Sequence, residues 1–167
     1  ALVSLMLLGA VYEFTKPKPE PVRMMHESSD DTYSYLDVLL LSDWVYQVSG
    51  DENYTFYEAM DPDGNWFLVS LDEKTFAPLK QHVDAYNAYF TDDYMNYSYP
   101  EPTRLSGMPT YISYDDTQEL SSYYNISFTE FGELFGANYL NEGVSNASVN
   151  AVLYLTGMFI PGLLLLA

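Results

Sequence analysis

The chain has 167 residues, no cysteine, and 24 acidic against six basic residues, for a formal net charge of −18. Without thiols there are no disulfides, thiolate metal sites or cysteine nucleophiles, and without clustered Lys and Arg there is no electrostatic footprint for nucleic acid. Aromatics make up 17% of the residues, too many for a solvated acidic tail, so the polar middle is expected to fold.

Residues 1–12 carry no charge, and neither do residues 147–167. At about 1.5 Å per helical residue the second run reaches roughly 31 Å, the thickness of a bilayer core, whereas the first reaches about 18 Å. Residues 1–14 are therefore expected to be the C-terminal part of a transmembrane helix with a truncated start. Residues 147–167 are expected to form a second such helix, kinked at Pro161-Gly162. The expected partners are the lipid bilayer, through both termini, and other membrane proteins. Lys16, Lys18 and Arg23 argue for a cytoplasmic middle under the positive-inside rule. The lack of any Lys or Arg after Arg104, and a Tyr-, Asn- and Ser-rich vocabulary, argue for an extracytoplasmic one, which is preferred. A cleaved signal peptide fits less well, because cleavage after Ala10 puts Leu8 where a small residue is wanted. The absence of bridges points to a bacterial surface rather than a secreted eukaryotic domain. Four Asn-X-Ser/Thr sequences, at Asn53, Asn96, Asn125 and Asn146, are of a number that this composition partly explains by chance.

Between the ends, residues 15–31 hold Pro17, Pro19 and Pro21 and read as a stiff, extended spacer. The acidic domain is expected over 32–144. A first strand covers 32–48, long enough to need a bend at Ser42-Asp43, and a turn follows at 49–52. Residues 54–60 and 65–71, joined through Asp61-Pro62-Asp63-Gly64, form the strongest local pattern, a β-hairpin. Asp72 or Thr75 caps a helix near 75–90, whose stripe is Phe76, Leu79, Val83, Tyr86 and Phe90. A loop covers 91–102, and a strand over 103–113 is interrupted at Gly107 or Pro109. A short helix runs from Asp115-Asp116 to Tyr124. Ser127 and Glu130 then have capping-box spacing, opening a helix with Phe128, Phe131, Leu134 and Phe135 inward. Gly143 ends it. The expected fold class is α+β: a small antiparallel sheet of three to four strands, at most OB-like for want of a fifth, with one long and two short helices, flanked by the two transmembrane helices.

Asp61-Pro62-Asp63-Gly64-Asn65 glances at a calcium loop but lacks the EF-hand spacing, and a hairpin turn accounts for every residue. The pairs Asp30-Asp31, Asp92-Asp93 and Asp115-Asp116 read as solvated or capping acids rather than halves of a carboxylate dyad. His26 and His82 are unclustered and read as surface residues. No catalytic, cofactor or metal site is expected. The candidate ligand-binding residues are Tyr86, Tyr89, Asp92, Asp93, Tyr94, Tyr97 and Tyr99, because tyrosines beside acids stack on sugars or hold cationic groups. The functional expectation is a membrane-anchored extracytoplasmic domain that binds or senses and does not catalyse. An assembly subunit of a membrane complex is the alternative, and an envelope hydrolase a distant third.

Overall fold

In the computed structural model, which describes residues 20–48, 54–91 and 97–142, the hairpin lies where the pattern put it. Strand β5 (Tyr54–Met60) pairs antiparallel with β6 (Trp66–Ser70), from Phe56 opposite Ser70 to Met60 opposite Trp66. The turn between them is held by Asp61, whose carboxylate accepts the N–H of Asp63 at 3.0 Å and of Asn65 at 2.9 Å. Gly64 supplies the left-handed conformation, φ 87°, that the tight return requires.

The long first strand divides into β2 (Ser34–Val38), β3 (Leu40–Leu41) and β4 (Tyr46–Val48). The bend falls at Ser42, as expected, with a second break at Leu39. The breaks matter because they let the stretch change partner. β2 pairs antiparallel with β7 (Thr103–Tyr111), while β3 and β4 pair antiparallel with β5. A last strand, β8 (Asn138–Glu142), lies between β7 and β6, antiparallel to the first and parallel to the second. Residues 34–48 thus bond to β7 at one end and to β5 at the other, and the sheet curls round a closed interior. Every strand of that circuit except β4 sends side chains into one cluster, including Leu36, Val38, Leu41, Tyr57, Ala59, Phe67, Val69, Leu105 and Leu140. A short strand from the proline-rich stretch, β1 (Val22–Arg23), adds in parallel to β2, and Met24 enters the same core.

This overturns the expected fold class. An eight-stranded mixed sheet stands where three or four antiparallel strands were expected, and the strands lacking from the sequence pattern are β1 and β8. No helix among the described residues is long and apolar enough to cross a membrane. The described strands and helices belong to one compact unit, Pro21–Gly143. The helices expected over 1–14 and 147–167, and the turn at 49–52, lie outside the described residues.

Helix α1 (Glu73–Phe76) is capped by Asp72, whose side chain accepts Thr75 N–H at 2.7 Å; it runs through a 3₁₀ turn holding Pro78 into α2 (Lys80–Tyr89). Leu79 joins the interior cluster, and Phe76 and Val83 pack against it. β7 is not interrupted. Gly107 permits the continuity, because a Cβ there would sit 1.9 Å from the Asn141 carbonyl oxygen on β8. Ser113 caps α3 (Tyr114–Tyr124), which ends at Asn125 in the left-handed region, φ 54°. The expected capping box of Ser127 and Glu130 opens α4 (Phe128–Phe135). That helix stops at Gly136, not Gly143, and buries Phe131 and Phe135 while Phe128 and Leu134 stay exposed. α3 and α4 cover the outer face of the sheet at Phe56, Leu68 and Tyr139.

Candidate functional site

Alternation along β5 decides where Glu58 goes. Tyr57 and Ala59 point into the barrel, so Phe56, Glu58 and Met60 lie on its outer face. Glu58 is therefore a carboxylate beneath the helices, with 8% of its surface exposed. Its backbone is held on the strand break: Glu58 N–H donates to Ser42 Oγ at 2.8 Å, and Ser42 N–H donates to the Glu58 carbonyl at 2.9 Å.

Each oxygen of the Glu58 carboxylate accepts a tyrosine hydroxyl from a different helix. Tyr86 of α2 donates to Oε2 and Tyr124 of α3 to Oε1. Burial, together with the bond to Glu58, holds the Tyr86 hydroxyl well above the ordinary phenolic range. Burial and the Glu58 charge do the same for Tyr124. Both therefore remain proton donors at neutral pH. Neither brings positive charge. Among the described residues the ion pairs join Arg23 to Asp61 and Asp63, and Arg104 to Asp37; none reaches Glu58.

Glu58, Tyr86 and Tyr124 line a cavity of about 440 Å³, within the usual range for small-ligand sites. Its other walls are Trp66 of β6, Tyr89 and Phe90 at the end of α2, and Leu134 and Phe135 of α4. Residues 86, 89 and 90 share a helical face by their spacing of three and four. The Trp66 ring lies 6.1 Å from Tyr86 and 6.3 Å from Tyr89, at interplanar angles of 87° and 67°. Phe90 packs 5.0 Å from Tyr86 and 5.1 Å from Tyr89. Tyr89 and Phe90 are exposed, so the aromatic walls reach solvent.

Of the residues expected to bind ligand, Tyr86 and Tyr89 line this cavity. Tyr97 and Tyr99 do not. They meet each other at 5.5 Å and pack on the cluster of Leu40, Met60 and Ala85. Asp92, Asp93 and Tyr94 lie outside the described residues. Sequence reasoning missed Glu58, Trp66, Tyr124 and Phe135. The signal for Glu58 was present: it is a lone acid in Phe56-Tyr57-Glu58-Ala59-Met60, on the face of Phe56 and Met60.

The other candidates have structural employment. His82 is fully buried, contrary to the surface role expected of it: Nδ1 lies 2.9 Å from the Leu39 carbonyl and Nε2 2.8 Å from Thr103 Oγ1. It ties α2 to the Leu39 break and to β7. His26 Nε2 lies 2.9 Å from the Trp66 carbonyl, and its ring meets Phe67 at 4.9 Å. Asp61 is spent on its turn and on Arg23, at 2.8 Å. Burial raises its pKa, but hydrogen bonds from Asn65, Arg23 and Asp63 N–H outweigh that and leave it low. Asp116 accepts from Ser113 at the α3 cap, and Asp31 from Ser29 and Thr32. Among the described residues no group of three or more His, Asp or Glu is placed to hold a metal ion. No family model, curated protein or solved structure matches the chain.

Proposed function

We propose that this chain is a non-catalytic binding domain, working outside the cytoplasm, whose site is the cavity over Glu58. One observation carries the reading. Rings from β6 and α2 and from the two later helices converge on a single buried carboxylate in a space of about 440 Å³. Such walls supply stacking area with little polar chemistry, which suits retention of a ligand better than its transformation. The lining contains one carboxylate, whereas glycoside hydrolysis uses two.

The chain has two tryptophans, and Trp44 is exposed, so Trp44→Phe isolates the emission of Trp66. A panel of amines, aromatic acids and mono- and disaccharides is titrated against that variant, with melting temperature as the second readout. Ligands of this site shift Trp66 emission and raise the melting temperature, and Trp66→Ala removes the thermal gain. A thermal gain that survives Trp66→Ala places the ligand elsewhere and ends the reading. Placement outside the cytoplasm is supported by the absence of Lys and Arg after Arg104. Protease added to intact cells should cut the domain; an uncut domain overturns that part.

A second reading, the assembly subunit, is favoured by a separate patch. Tyr111, Tyr114 and Phe128 are exposed together, with Tyr114 stacked on Phe128 at 5.2 Å beside a cavity of about 170 Å³. Sedimentation of the purified chain tests it. Self-association lost in Tyr114→Ser/Phe128→Ser supports assembly, and a monomer at all concentrations removes self-assembly from this reading.

A further inference from the structure

We infer that the group held in this cavity is an alkylated ammonium, with Glu58 as its counter-charge; the inference rests on the binding reading above and adds the ligand's class. Glu58 is buried, its partners are two neutral hydroxyls, and no basic side chain among the described residues compensates it. A carboxylate in a low-dielectric recess attracts a cation far more strongly than one in water. The space beside it is therefore set for positive charge.

The walls decide which kind. Calcium takes six to eight oxygen ligands, and magnesium keeps its waters. Here one carboxylate faces rings and the side chains of Leu134 and Phe135. A hydrated metal ion would lose its shell and gain almost no oxygen in return. A sugar fares little better. The hydroxyls of Tyr86 and Tyr124 are already turned to Glu58, which leaves few polar groups for a ligand rich in its own hydroxyls. An ammonium bearing methyl or methylene groups spreads its charge over apolar surface and is weakly hydrated. Aromatic rings hold such a cation through their quadrupoles. Trp66, Tyr86, Tyr89 and Phe90 stand at steep or tilted angles to one another, so they bound the space on several sides instead of stacking flat. The net charge of −18 adds a field that draws cations towards the surface before any contact forms.

The test compares choline with 3,3-dimethylbutan-1-ol, which replaces the charged nitrogen with carbon at nearly the same shape. Both are titrated into the full chain carrying Trp44→Phe, following Trp66 emission, with sodium chloride as the ionic-strength control. Choline is expected to bind at least about tenfold more tightly than the alcohol, the ratio a desolvated cation–ring contact commands. Added salt should narrow that ratio, and Glu58→Gln should bring it to within about threefold. The choline-to-alcohol ratio in the Trp44→Phe chain, whose substitution lies at an exposed residue, stands even if Glu58→Gln does not fold. Equal binding of the two compounds overturns the cation and leaves the pocket reading intact. If neither compound alters Trp66 emission, while a sugar or aromatic acid from the panel does, only the cation falls. Silence from every ligand defeats the binding reading as well.

Discussion

At the scale of single residues, Gly107 is the least replaceable position. No side chain fits between β7 and β8 there, because the obstruction is backbone and cannot swing aside. Gly107→Ala is expected to cost about 3 kcal/mol or more in urea unfolding, at the upper end for overpacking. Tyr124 gives a prediction of the opposite kind, visible only in alkali. Its folded pKa is raised above the unfolded value by burial and by the charge of Glu58. A raised folded pKa contributes stability that is fully present below the unfolded pKa, near 10, and is lost as pH climbs beyond it. Stability should therefore fall above about pH 10 in the wild type and fall less steeply in Tyr124→Phe, followed by melting temperature against pH.

Elements show which parts of the molecule were legible beforehand. The hairpin, the Asp72 cap and the Ser127–Glu130 box were readable because each depends on chemistry within about five residues. Ser127→Ala should cost about 1 kcal/mol, measured by chemical denaturation, since it strips the hydroxyl that accepts Glu130 N–H. β8 was not readable. Its five residues bury Tyr139 and Leu140 side by side, on opposite faces, because α3 and α4 cover one side and the barrel interior lies on the other. Nothing local distinguishes that from a linker. The same limit governs the cavity. Tyr86 and Tyr89 stood out through helical spacing, but Glu58 lies 28 residues from Tyr86 and 66 from Tyr124. No window of sequence spans those three.

For the molecule as a whole, charge is the dominant quantity. A net −18 on 167 residues, with Arg23 and Arg104 already engaged by acids, leaves strong self-repulsion in the folded state. Sodium chloride between about 0.02 and 0.5 M should raise the melting temperature by several degrees, because the screening length shortens from about 20 Å to about 4 Å. A flat or falling curve would show that the charges are spaced widely enough not to oppose folding.

The position of β8 also governs how the chain matures on a ribosome. It is the last described strand to be made, yet it fits between two that precede it, β6 and β7. Until residues 138–142 emerge, those two present unpaired backbone towards each other with nothing to join them. Closure of the described sheet therefore waits for that one strand rather than advancing strand by strand, and a nascent chain that pauses before it exposes adhesive margins to its neighbours.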